Sequence, residues 1–289
     1  MLDVKKNNIE FWDDVLLVIV LYKEELFKTL TYKSIAEAAK YANLIIDLFV
    51  YDNSPEPKMF SLFDEQSSNF NIKYCSDTNN SGLSVAYNRG VEVAREKRKR
   101  NVLMLDQDTF FPKKMFYEYE SAALAFPNIS IFAPLLLIED DKIFSPCTYK
   151  MKRGWHPKNI NTGINLLSNF LPVNSGVMIS MDVFNKVGVY NEKLRVDFID
   201  FQFMEKVRKM YKEFYVLNLE GRQSFSSSTY NLNLELARFD IYVSDVRSID
   251  KIGILDKSIW LLNIIFRMFK LTIKYRRWVF IKTYISLLK

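Results

Sequence analysis

The stretch Asn101-Val-Leu-Met-Leu-Asp-Gln-Asp108 decides the fold class. Its apolar run leaves no polar face, the pattern of a strand covered on both sides, and such strands belong to parallel sheets flanked by helices. Upstream, the charge run Arg95–Arg100 closes a helix that carries Leu83, Ala86, Tyr87, Val91 and Ala94 on one side and opens at Asn79-Asn-Ser-Gly82. Leu44–Tyr51 reads as another strand, stopped by the turn residues Asp52-Asn-Ser-Pro55. Before it come a helical pattern through Leu26, Leu30, Ile35 and Ala39 and the β-branched strand Val15–Leu21. Strand, helix and strand alternate, so the class is α/β with a mostly parallel central sheet.

Downstream, Ser130–Leu137 predicts a strand, 140–162 a polar loop, and Val173–Ser180 an apolar stretch entered through Asn174-Ser-Gly176. A helix over Asp197–Tyr211 should bury Phe203, Met204, Val207 and Met210. A strand at Tyr215–Leu219 and a Ser-rich turn at 224–229 follow. The division falls near residue 231: an α/β domain over 1–230 and a basic, aromatic-rich helical extension over 231–289.

Composition narrows the chemistry. Only 8 glycines occur in 289 residues, with no G-x-G-x-x-G and no P-loop pattern. One histidine, His156, and two cysteines, Cys75 and Cys147, exclude a zinc cluster and a disulfide framework and favour a reducing compartment. Catalysis must then rest on carboxylates. From Lys251 to Lys289 nine Lys and Arg stand against one Asp, a surplus of +8; with a net charge of +6, the preceding residues sum to −2. That body carries no basic stripe, so nucleic acid is not the expected partner. Met1–Trp12 does not read as a signal peptide, and no apolar run reaches about 18 residues, the length of a membrane span.

Asp106 and Asp108, two residues apart at the end of a buried strand, lie where open α/β sheets bind ligands. Their side chains can face one way, as hard ligands of Mg2+ or Mn2+ do, and turn-forming aspartates would look the same. Asp52-Asn53 ends a neighbouring strand, where an Asx turn is the simpler account. Asn80, Gly82, Asn88 and Gly90 surround a helix start that could offer N–H groups to an anion or be capped by Asn80 or Ser81. Asp197 and Asp200 fit a capping box, while the apolar neighbours Phe198, Ile199, Phe201 and Phe203 would raise the pKa of a buried carboxyl and suit a general base.

In order, Phe49-Val-Tyr-Asp-Asn-Ser54, Asn80–Gly90, Leu103-Met-Leu-Asp-Gln-Asp108, Asn174–Ser180, Val187–Glu192 and Val196-Asp-Phe-Ile-Asp-Phe-Gln-Phe203 resemble the motifs of family 2 glycosyltransferases, with the flavour of the bacterial rhamnosyltransferase-like branch. The resemblance covers roughly residues 13–230 and implies a GT-A fold and an inverting, metal-assisted transfer from a nucleotide-diphosphate sugar. By motif match Asp52, Asn80, Asn88, Asp106, Ser175 and Gly176 should bind the donor. Asp106 and Asp108 should hold the cation, and Asp200 should be the base. Two departures stand out: Gln202 where the branch often keeps an acid, and Gln223 nearest the position of a family histidine. They motivate a rival reading as a non-catalytic glycan or nucleotide-sugar binding module. The implied acceptor is a saccharide, lipid-linked if the extension lies on a membrane. Interleaved cations and aromatics from Ile259 to Ile285 suit helices on an anionic cytoplasmic leaflet, and also helices packed on the domain or at a dimer contact.

Overall fold

The computed structural model describes residues 11–58, 68–224, 231–251 and 253–287. The first half runs β1 (Val15–Leu21), α1 (Leu30–Ala42), β2 (Ile46–Asp52), β3 (Phe70–Ser76), α2 (Leu83–Glu96), β4 (Asn101–Asp106), β5 (Thr109–Phe110) and α3 (Met115–Ala125). β6 (Ile131–Leu137), β7 (Ile143–Ser145), β8 (Cys147–Lys150), β9 (Arg153–Trp155), β10 (Gly163–Leu166), β11 (Phe170–Leu171) and β12 (Val177–Ser180) follow. The chain continues through α4 (Met181–Val187), α5 (Ile199–Met210), β13 (Glu213–Gln223), α6 (Leu232–Ser248), α7 (Gly253–Tyr275) and α8 (Val279–Leu287).

The central sheet has the order β10-β13-β6-β12-β4-β1-β2-β3. β3, β2, β1 and β4 pair in parallel, β12 runs against both β4 and β6, β13 returns parallel to β6, and β10 is reversed at the edge. The expected mostly parallel sheet is present. Alternation explains why β1 reads as unbroken apolar sequence. Val15, Leu17, Ile19 and Leu21 enter the core under α1 and α3, while Leu16, Val18 and Val20 enter the core under α2.

Several expectations change. β3 has no clean apolar pattern because, as an edge strand, it buries little beyond Phe70. The polar stretch 140–162 is not one loop: β8 pairs with β9 and β11 in a second, three-stranded sheet. Met210 is exposed at the end of α5 rather than buried. The turn expected at 224–229 lies outside the described residues beyond Ser224.

The C-terminal helices do not stand apart. Phe239, Trp260 and Phe280 are buried in the same cluster as Ile199, Phe203 and Val207 of α5. At about 2 kcal/mol for each fully buried large apolar side chain, those three rival a good part of a domain's net stability. The boundary near residue 231 therefore marks the start of α6, capped by Asn231, within one continuous core.

Candidate active site

β4 ends in the Asp106-Gln107-Asp108 turn, and the middle residue fastens it. Gln107 accepts from the Tyr22 N–H at 2.7 Å and donates to the Tyr22 carbonyl at 3.2 Å, tying the turn to the end of β1. The flanking aspartates have other partners: Tyr87 donates its hydroxyl to Asp106 at 2.6 Å, and Gln223 donates its amide to Asp108 at 2.5 Å. Burial raises the Asp106 pKa although Tyr87 opposes it. Burial, then the neighbouring Asp106 charge, pushes Asp108 up to about 6.

Asp200 is the second residue of α5. Its pKa is pushed up to about 7, first by burial and then by Asp106, against the Asn174 N–H that donates to it. Tyr87 and Tyr190 feel both Asp106 and Asp200, so strand-end and helix-start carboxyls share one buried site. Burial holds Asp108 and Asp200 above the usual carboxylate range in this site, and a carboxyl raised in this way suits proton transfer.

The expected capping box is absent. Phe198, at φ 64°, occupies the position before α5 and no side chain caps the helix. Asp197 instead takes a two-point contact from Arg238, with Arg267 at 3.7 Å. Asp245 of α6 holds the approach to α5, accepting from the backbone N–H groups of Arg195, Val196 and Asp197 at 2.9, 3.0 and 2.7 Å.

The other expected donor residues are mostly braces. Asp52 accepts from the Ser54 N–H at 3.0 Å and the Tyr74 hydroxyl at 2.9 Å, so the Asx turn holds and its carboxylate is committed. Asn88 donates to the Tyr190 carbonyl and Glu192 at 3.0 Å each and accepts from the Tyr190 N–H at 2.9 Å. It orients a loop and has no amide left for a nucleotide. Asn80, at φ 51°, presents its carbonyl to Arg195 at 2.8 Å. The N–H groups of Ser81, Gly82 and Leu83 go to Asp77, Asn53 and the Arg195 carbonyl, which replaces both the anion and the capping expectations for α2.

Ser175 and Gly176 lie beneath the site. Ser175 shares a 2.7 Å hydrogen bond with Thr109, which also donates to Gln223. Gly176 turns at φ 75°, where a Cβ would sit 2.7 Å from Pro134. The segment 174–176 thereby joins Asp200, through the Asn174 N–H, to the Asp108–Gln223 pair. Sequence reasoning missed Tyr87, Tyr190 and Asp245 as site residues. The first two sit inside matched motifs, whereas Asp245 had no signal beyond an acid in an apolar helix.

Among the described residues no group of three or more His, Cys, Asp or Glu could by itself hold a metal. Asp106 and Asp108 nonetheless suit a divalent cation shared with a ligand. They are hard oxygen donors, and burial, then repulsion from Asp106, raises Asp108. Gln223 supplies a neutral amide beside them, so the remaining ligands would come from a diphosphate and water. His156 lies against β7, its ring nitrogen 2.9 Å from the Ile143 carbonyl and its ring 6.2 Å from that of Phe144.

Three likenesses to known proteins bear on this arrangement. A 122-residue stretch is 27% identical to the dTDP-rhamnosyl transferase RfbF of Shigella flexneri, covering 42% of this chain and 41% of that protein. The structure resembles S. aureus TarS 1-349 with a TM-score of 0.53 at 10% identity, covering 82% and 81% of the two chains. It also resembles TarS 1-349 in complex with UDP-GlcNAc, with a TM-score of 0.53 at 12% identity over 89% and 73%. These structural matches show a GT-A-like fold. The sequence model described as glycosyl transferase family 2 matches residues 17–183, more than half of the chain and inclusive of both strand-end aspartates. This chain belongs to glycosyl transferase family 2.

Proposed function

We propose that the protein is an inverting glycosyltransferase that moves a sugar from a nucleotide-diphosphate donor to a saccharide acceptor in bacterial surface polysaccharide synthesis. The observation that carries the reading is that Asp200, at the start of α5, lies in the same buried site as Asp106, at the end of β4, close enough for their like charges to repel. In this reading Asp200 takes the proton from the acceptor hydroxyl, whose oxygen attacks the anomeric carbon. The bond to the diphosphate breaks on the opposite face, so one displacement inverts that centre. Asp106 and Asp108 would hold Mg2+ or Mn2+, which neutralises a departing diphosphate. Tyr87 and Gln223 keep the two aspartates in place.

The donor is proposed as dTDP-rhamnose, from the likeness to RfbF. The acceptor is proposed as lipid-linked and the protein as peripheral on the cytoplasmic face, from the exposed apolar side of α7 beside its cations. No helix among the described residues is long and apolar enough to cross a membrane. A non-catalytic nucleotide-sugar binding module is the second reading, favoured by the amide of Gln223 seated on Asp108. The deciding experiment screens nucleotide sugars with each metal and reads nucleoside-diphosphate release. Release that disappears in Asp200→Asn supports transfer, whereas donor binding without any release supports the module.

A further inference from the structure

We infer that the cavity between β9, the start of α5 and α7 is an anion site for the phosphate of an amphiphile whose apolar chain lies along the exposed side of α7. The inference rests on the reading that this side of α7 meets lipid, and adds to it a defined ligand site. The cavity measures about 380 Å³, within the range of small-ligand sites, and Arg153, Arg267, Lys270 and Lys274 line it against Asp197 and Glu235. Both carboxylates are already engaged. Asp197 takes the fork of Arg238, and Glu235 accepts from the Tyr275 hydroxyl at 3.1 Å with Lys274 at 3.5 Å. Among the described residues Arg153 and Lys270 form no ion pair.

Local packing builds the cation wall. A Cβ on Gly154 would meet Phe201 at 2.7 Å and Cys147 at 2.9 Å, so glycine lets β9 press onto α5 and brings Arg153 to the rim. The Arg153 guanidinium lies 4.8 Å from the Phe266 ring centre and 5.8 Å from that of Trp155, in cation–π contact with two aromatic rings. Burial lowers the Arg267 pKa; Asp197, 3.7 Å away, opposes the fall and the like-charged Arg238 adds to it. Arg153 and Phe266 also border an adjoining open groove with Trp155, Leu262 and Phe269. Charge gives way to apolar surface at a shared edge, the pattern of a phosphate joined to a hydrocarbon chain. Phe201 of α5 forms part of the cavity wall, whereas its neighbour Asp200 does not line the cavity.

The test is calorimetric titration of the full chain with dodecyl phosphate below its micelle concentration, with inorganic phosphate and dodecyl maltoside as separate arms. Dodecyl phosphate should bind at least tenfold more tightly than either. The pair Arg153→Gln and Lys270→Gln should weaken it at least tenfold, the pair Arg276→Gln and Arg277→Gln should leave it unchanged, and Lys270→Arg should retain binding. Melting temperatures check folding, and Lys270→Gln alone serves if the double variant is destabilised. Equal binding in the cavity variants, equal loss in the control pair, or free phosphate binding as tightly as dodecyl phosphate overturns the site. Vesicle binding that survives such a failure keeps the membrane reading and discards only this cavity.

Discussion

Asp200 reaches a pKa near 7, above its ordinary 3.8, because burial and Asp106 both disfavour its ionised form. Below 3.8 the folded and unfolded states are both protonated and nothing is lost. Above that value the unfolded chain ionises first, and stability declines until the folded group ionises as well. At about 1.4 kcal/mol for each pH unit between the two values, the cost at pH 8 is of the order of a few kcal/mol. Asp200→Asn should therefore raise the melting temperature at pH 8 and leave it nearly unchanged at pH 3.5. The same variant should lower transfer by about 10²–10⁴-fold, and the wild-type rate should climb through roughly neutral pH. An unaltered rate would remove Asp200 as the base. Asp108→Asn should abolish metal-stimulated turnover with the fold intact by circular dichroism, because one hard anionic ligand is lost. Near-full metal-dependent activity would remove that assignment. These carboxylates were legible because a strand end and a helix start place them by rule. The roles of Asn88, Ser175 and Gly176 were not, since nothing local says whether a polar group faces a ligand or a loop about 100 residues away.

At the scale of elements, two close approaches position the site. Gly90 lets α2 settle on β1, where a Cβ would come within 2.7 Å of Val18, a stiff branched side chain. Gly90→Ala should push α2 outward and carry Tyr87 away from Asp106, at a cost of about 1–3 kcal/mol for overpacking. Urea denaturation measures that cost; stability equal to wild type would mean that the helix–strand contact yields freely. The second approach is Asp245, whose carboxylate gathers three N–H groups just ahead of α5. Asp245→Ala leaves those donors without their acceptor and should cost about 2–4 kcal/mol. It should also lower kcat more than donor affinity, because the base moves while the β4 end stays. Equal effects on both would point to general destabilisation. The buried strands and long helices were readable from apolar period, whereas β3, β8, β9 and β11 were not. Each is short or half exposed, and its pairing depends on partners that periodicity does not reveal.

Across the whole molecule, the basic C-terminal segment is both scaffold and surface. Trp260, Ile264, Met268 and Leu271 face the core, while Leu255, Leu262, Phe266, Phe269 and Ile273 remain exposed along α7 at helical spacing. Trp278 is 72% exposed just beyond, next to Arg276 and Arg277. Sequence could show that apolar and cationic residues interleave there. It could not show which apolar residues the core claims, because α7 has more than one apolar face. Removing the helices to test membrane binding would strip buried side chains from the core, so the informative variants lie on the surface. The full chain should bind vesicles containing anionic lipid and release as salt screens the cations, with weak binding to neutral vesicles. The triple variant Phe269→Ser, Ile273→Ser and Trp278→Ser should lose most vesicle binding yet melt within a few degrees of wild type, because exposed substitutions cost little stability. Undiminished vesicle binding by that variant would remove this face as the anchor. Concentration-dependent dimerisation that the same substitutions abolish, without vesicle binding by wild type, would assign the face to a second copy of the chain.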